Sequence, residues 1–373
     1  MKITLKNTPE QIELIKAMAS RNRNVAFEAQ TALAEFIGPV LAEVINQAPA
    51  LSNLFTTLQY NADDNPSIPL DLYFDISDED YVQVFSQNRA GGLPTSEVLP
   101  TASELKVATY SLDTAVSFDR RYAAKSRMDV VAKTMTRAAQ EILIKQNTIS
   151  ANILLKAVAN ATTNGQSHVI TSSANGRFVL NDFNKLLTLS KRILTSFIGG
   201  TPDQTRGKGL TDLIVSPEVV QELRAIAYNP INTSTAPQTS AVKDAVPTAN
   251  DIAMQAYNAA GAPEFYGINV IELNEFGISQ PFNTIFDTEA GSIDYGGHGG
   301  AAFATATDEI VLGIDRSREA LVRPVAVDVE NGGEFNLIAD DQYSIRQNKI
   351  GYFGSLEEGR VVLDNRALAG IIV

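Results

Sequence analysis

No proline interrupts the chain between Pro100 and Pro202, and within that interval one apolar stripe runs unbroken. From about Asp129 to Ala161, the residues Val131, Met135, Ala138, Ile142, Ile149, Ile153 and Ala157 recur at helical spacing. Val130, Ala139, Leu143 and Leu154 widen that stripe. A helix of about 33 residues is about 50 Å long at about 1.5 Å per residue. That exceeds the usual globular helix, and the small Ala138, Ala139 and Ala157 permit close packing along it. The polar segment 162–176, with Gly165 and Gly176, ends it.

The chain before this rod changes period twice. TPEQ (8–11) predicts a helix start, with Thr8 as cap, Pro9 at the first helical position and Gln11 completing a capping box. Ile12, Ile15 and Ala19 continue it, and a second helix is expected from about Phe27 to Ile37, interrupted at Pro39. Packing on their own domain and docking on a neighbour are equally open for these helices. From Ile68 the period becomes two: Ile68, Leu70, Leu72, Phe74 and Ile76 alternate with Pro69, Asp71, Tyr73 and Asp75. Tyr81 to Phe85 continues in extended style, and Leu105 to Phe118 reads as strand again. Between them lies QNRAGGLPTSEVL (87–99), a pliable tip with Gly91 and Gly92. The whole is a long antiparallel excursion with one apolar face.

A compact α/β lobe is expected after the long helix. Asn181 or Asp182 caps a helix to about Phe197, and LTDLIV (210–215) is a strand. Ser216-Pro217-Glu218 opens another helix, with Ser as cap and Pro at its first position. Residues 229–249 form a polar loop, Asp251 to Ala260 a helix, YGINVIEL (266–273) a strand and DYGGHGG (294–300) a loop. EIVLGIDRSREALVRPVAVDV (309–329) reads as strand, turn and strand. Tyr343–Tyr352 and Arg360–Leu363 read as a closing pair before the apolar tail ALAGIIV.

Composition narrows the chemistry. The 373 residues contain no cysteine, which excludes disulfides, thiol nucleophiles and sulfur-bound zinc. The net charge of −13 argues against a dedicated nucleic-acid reader, whose affinity comes from clustered Lys and Arg. MKITLKNTPEQ has no apolar core like that of a signal peptide, so the sequons at Asn160 and Asn232 read as chance matches. No uninterrupted apolar run approaches the roughly 20 residues that span a bilayer.

Only His168 and His298 are available for imidazole chemistry. GGHGG gives His298 one metal ligand at most, and a loop turn explains its glycines. GKG at 207–209 matches neither a dinucleotide fingerprint nor a P-loop, and no G-x-S-x-G elbow stands near a histidine. The acidic pairs Asp63-Asp64, Asp340-Asp341 and Glu357-Glu358 read as solvated surface. The cluster Arg120, Arg121, Lys125 and Arg127 reads as salt links to Asp113, Asp119 and Asp129, in preference to a phosphate site. No catalytic, cofactor or metal residue is assigned.

The order of parts resembles the major capsid proteins of tailed bacteriophages, the Hong Kong 97 phage-type fold. LIVSPEVVQEL (213–223) is similar to the strand and capped helix of that family's axial domain. SIRQNKIGYFGSLEEGRVVLDNRALAGIIV (344–373) is similar to its closing segment, through an acidic-Arg turn at Glu357-Glu358-Gly359-Arg360. The resemblance implies an α+β fold with an N-terminal arm (1–58), an extended β-hairpin loop (59–112) and a peripheral domain with a spine helix (113–180). It further implies an axial α/β domain (181–308) and returning strands (309–373). It implies a non-enzymatic shell protein of the virion, assembled in the host cytoplasm as hexamers and pentamers round double-stranded DNA that it does not read by sequence. Portal and scaffolding proteins are implied partners, decoration proteins are admitted, and no membrane is involved. An encapsulin-type compartment is the alternative, ahead of an α/β enzyme and of a tail or decoration protein.

Overall fold

The computed structural model describes residues 8–47, 51–61, 65–69, 104–125, 127–163, 165–173, 176–193, 209–228, 264–265, 267–290, 302–327, 334–340 and 347–373. The first elements are α1 (Pro9–Met18), α2 (Arg23–Gln47), β1 (Thr56–Asn61), β2 (Ser67–Pro69), β3 (Glu104–Lys106) and β4 (Thr109–Asp119). Then come α3 (Arg120–Ala124), α4 (Met128–Ala159), β5 (Thr162–Thr163), β6 (Gln166–Ser167), β7 (Val169–Thr171) and α5 (Leu180–Ile193). Next are β8 (Asp212–Val215), α6 (Pro217–Tyr228), β9 (Glu264–Phe265), β10 (Ile268–Glu272), α7 (Pro281–Ala290) and β11 (Ile310–Ile314). The last are β12 (Leu321–Val327), β13 (Asn336–Asp340), β14 (Lys349–Gly359), β15 (Val361–Val362) and β16 (Leu368–Ile372). Among the described residues two compact units separate. The first lies within Met1–Leu70, Ala102–Ser150 and Leu321–Val361, the second within Ala151–Ala320 and Val362–Val373.

In the first unit β14 organises the sheet. It pairs antiparallel with β4 from Lys349↔Asp119 to Gly359↔Thr109. It also pairs with β13 from Asn336↔Ser355 to Asp340↔Gly351, and with β12 at Val325↔Glu358. β1 then adds to β12 in parallel. Alternate β14 residues Ile350, Tyr352 and Leu356 point to one face, because successive strand side chains alternate. Against them pack Ile15 and Met18 of α1, Leu33, Ile37 and Leu41 of α2, and Val131, Met135 and Ile142 of α4. Each such side chain contributes about 1.5–3 kcal/mol on full burial. Gly354 has no side chain because the Phe335 ring lies where its Cβ would stand.

α1 begins as expected: Thr8 Oγ1 accepts from the Gln11 amide at 3.4 Å. The reciprocal half of the capping box is missing, since Gln11 Oε1 is buried without a hydrogen bond. α2 does not stop at Pro39 but runs to Gln47. Proline removes the amide that would bond the Glu35 carbonyl, yet Glu35 and Pro39 are both exposed, so water can reach that carbonyl. Leu33, Ile37 and Leu41 on the other side keep the helix on the sheet. Of the two placements open for these helices, packing on their own unit is the one found. By length and composition α2 could also cross a membrane, but its apolar stripe lies in this core.

The second unit is a six-stranded mixed sheet in the order β7-β16-β11-β8-β10-β9. Leu213, Val215, Val311 and Ile371 on one face meet Phe183, Leu186, Val219 and Leu223 from α5 and α6. Ser216 caps α6 as expected, its Oγ accepting from the Val219 amide at 3.2 Å, with Pro217 at the first position. The α4 residues that belong here, Leu154, Leu155 and Val158, are fully buried. α7, with Phe282, Phe286 and Ala290 buried at four-residue spacing, was not expected from the sequence. The long helix was expected within two residues of its observed ends.

β11 and β12 stand as strand, turn and strand as expected, and they enter different sheets. One strand reading needs correction. Among the described residues, 360–363 do not pair with the end of Tyr343–Tyr352, and β15 pairs with β12 instead. The partners of β14 are β4, β13 and β12, because eleven-residue β4 offers a full-length ladder and the two residues of β15 do not. The expected helix at 251–260, the loops at 229–249 and 294–300, and most of the excursion lie outside the described residues.

Candidate functional site

Three features of the first unit face outward. β2 and β3 pair antiparallel, Ser67↔Lys106, Ile68↔Leu105 and Pro69↔Glu104. β2 and β3 are joined in the chain by residues 70–103, which lie outside the described residues. β4 pairs with β14 alone among the described residues, and its other side opens on a groove of about 580 Å³ against α4. Thr114 and Val116 line one wall, and Lys133, Thr134, Arg137 and Glu141 the other. Lastly, Ile338 and Phe353 stand opposite each other on the sheet's outer face, 49% and 38% exposed, and Phe36 and Val40 on α2 are 57% and 39% exposed. Apolar side chains paired on a surface in this way mark interaction sites more often than solitary ones do.

Beneath the inner face lies a buried ionic network that holds the sheet to the long helix. Glu358 Oε2 accepts from Arg323 Nε at 2.7 Å, Gln146 Nε2 at 3.0 Å and Arg360 Nη2 at 3.2 Å. Its Oε1 accepts from the Tyr110 hydroxyl at 2.8 Å and lies 2.8 Å from Arg360 Nη1. Arg360 also donates to Tyr110 Oη and the Gln146 carbonyl, and its guanidinium sits over Phe55 at 5.8 Å. Burial pushes the Tyr110 hydroxyl far up, with Glu358 adding to the shift and Arg360 opposing it. Burial lowers Arg360, and Glu358 opposes that.

This overturns the reading of Glu357-Glu358 as solvated surface. Glu358 is fully buried because it is the counter-ion of two arginines from β12 and the chain after β14. Glu357 does stay at the surface side, accepting from Thr109 Oγ1 at 2.9 Å. Nor is 357–360 a turn: Glu357 to Gly359 finish β14. Arg323, Gln146 and Tyr110 carried no signal in the sequence, because each is far along the chain from Glu358.

His168 is a fully buried structural group. Its Nδ1 lies 3.1 Å from both the Asn365 and Leu368 carbonyls, so that nitrogen carries the proton, and Nε2 accepts from Thr163 Oγ1 at 2.7 Å. Burial holds it below its ordinary pKa, against the two carbonyls. His298, Asp63-Asp64 and Asp341 lie outside the described residues. In the basic cluster, Arg121 meets Asp119 at 3.8 Å in an exposed pair, whereas Arg120 donates to the Ala19 carbonyl. Among the described residues no group of three or more His, Asp or Glu side chains could hold a metal ion.

No family model matches the chain, and no curated protein does. Solved structures match over most of its length. One, the capsid of an empty GTA particle, is 11% identical with a TM-score of 0.49, covering 87% of this chain and 90% of that one. A structure of Microbacterium phage Oxtober96 is 12% identical at 0.46, covering 86% and 90%. The holo encapsulin complex of Synechococcus elongatus is 13% identical at 0.43, covering 87% of each chain.

Proposed function

We propose that this chain is a shell-forming structural protein, and specifically the major capsid protein of a tailed phage. The observation that carries the reading is the β2–β3 base beside an open strand edge. A long segment leaves and returns at one antiparallel pair, while β4 keeps one side without a strand partner among the described residues. An open edge invites pairing with another chain. In this reading α4 is the spine helix, residues 59–112 the extended loop, and the sheet of the second unit the axial domain. Copies then join as hexamers and pentamers into an icosahedral shell round double-stranded DNA in the host cytoplasm, with portal and scaffolding proteins as partners.

Electron microscopy of the purified protein tests this. Closed shells of uniform diameter are expected, and a monodisperse monomer at high concentration would refute it. Their content assigns the kind of shell: nucleic acid makes it a virion, and an enclosed protein makes it an encapsulin-type compartment.

A further inference from the structure

A pocket of about 160 Å³ opens in the first unit between the start of α2 and the junction of β4 with α3. Its charged lining is entirely cationic: Arg21, Arg23, Arg120 and Lys349, with no carboxylate among the described residues that line it. Three separate stretches of chain supply these groups, and the fold brings them together through the pairing of Lys349 with Asp119 and the bond from the Arg120 amide to the Asn348 carbonyl. Gln30, only 4% exposed, adds a buried amide to the wall.

Like charges round one small space repel each other, and the repulsion weakens when an anion enters. Some of that charge is already oriented. Of the five N–H donors on a guanidinium, Arg120 gives two to the Ala19 carbonyl, at 3.3 and 3.1 Å, which fixes the plane of its fork. Arg21 and Lys349 make no ion pair among the described residues. The net charge of −13 does not cancel the site, because charges beyond about 8 Å are largely screened at physiological salt. Arg forks and a Lys point charge together are the usual donors to phosphate oxygens.

The geometry points to a phosphate-binding site formed by Arg21, Arg23, Arg120 and Lys349. Its ligand is a phosphate group, carried on a polynucleotide backbone or free in solution. Lys125 and Arg127, both exposed, follow Arg120 closely in the chain, which suits a chain of phosphates better than a single ion. The site does not require that the protein form shells.

The test uses the full-length chain. Anisotropy of a short fluorescent DNA duplex is measured over a range of salt, and inorganic phosphate is titrated by calorimetry in a separate arm. Wild type should bind the duplex with salt-dependent affinity. Arg21→Gln with Lys349→Gln should make the slope of log K against log salt shallower by about 2, at roughly 0.9 per phosphate contact. Arg21→Lys with Lys349→Arg should keep most of the binding, and circular dichroism checks that each variant is folded. Phosphate binding without duplex binding assigns the site to the free ion. No binding of either, or equal binding by wild type and the glutamine variant, overturns the inference. Microscopy of the same samples separates the two proposals: shells without binding remove only this one, and binding without shells removes only the shell reading.

Discussion

Arg323 Nε stands 2.7 Å from Glu358 Oε2, and the two side chains are 4% and 0% exposed. A charge pair removed this far from water must be held by geometry, because desolving each ion costs several kcal/mol. Here the carboxylate also accepts from Tyr110 and Gln146, so β4, β12, β14 and α4 converge on one group. The network gives the sheet and helix a single register, since a slipped strand would strand an ion in the core.

Glu358→Ala should therefore be far worse than an average core truncation. It leaves Arg323 and Arg360 buried without their counter-ion, and breaking such a pair costs about 3–5 kcal/mol. Urea denaturation should show the midpoint falling sharply or no folded baseline. A loss under about 1 kcal/mol would mean that water compensates the arginines.

Ile142→Asp puts an unpaired carboxylate where α4 meets the sheet, at a position 5% exposed. Burying an unpaired charge costs several kcal/mol or forces its protonation. The protein should be insoluble or unfolded at neutral pH by circular dichroism. A soluble variant with native helicity would count against the packing of α4 on β14.

The buried His168 sets a pH dependence. Its folded pKa lies below the ordinary 6.5 because burial disfavours the cation. Unfolded chains thus bind more protons between the two values, and stability rises with pH there. This contribution is complete above about pH 6.5 and is lost as pH falls through the folded value. His168→Gln should flatten that part of the stability profile, measured by denaturation at successive pH values.

Glu309 has the opposite sign. Burial raises its pKa above 4.5, the nearby Glu218 and Glu222 raise it further, and Ser216 partly opposes them. Its Oε2 is buried without a hydrogen bond. Folded chains then bind more protons than unfolded ones, so this stability is present below 4.5 and lost as pH rises through the folded value. Glu309→Gln should raise the melting temperature at neutral pH and lose its advantage in acid.

Pro69 and Glu104 lie opposite each other at the end of the β2–β3 pair. Replacing residues 70–103 with a short Gly-Ser linker should therefore close the chain without strain and leave both units folded. By the proposed function the variant forms no closed shells. Circular dichroism reports the first outcome and microscopy the second. Either global unfolding or normal shells would remove the excursion as a device between subunits.

Much of the local architecture is decided by neighbours in the chain. Val131, Met135, Ala138 and Ile142 at helical spacing locate α4, and Ser216 before Pro217 locates the start of α6, because periodicity and capping act over a few residues. Tertiary structure decided the rest. Pro39 reads as a helix stop until the sheet holds α2 through Leu33 and Ile37 before it and Leu41 after it. Glu358 reads as surface until Arg323 and Gln146 are brought to it, and the cationic pocket does not exist until α2, β4 and β14 meet. A side chain's charge is written in the sequence, but whether that charge is solvated, paired or crowded depends on groups tens to hundreds of residues away.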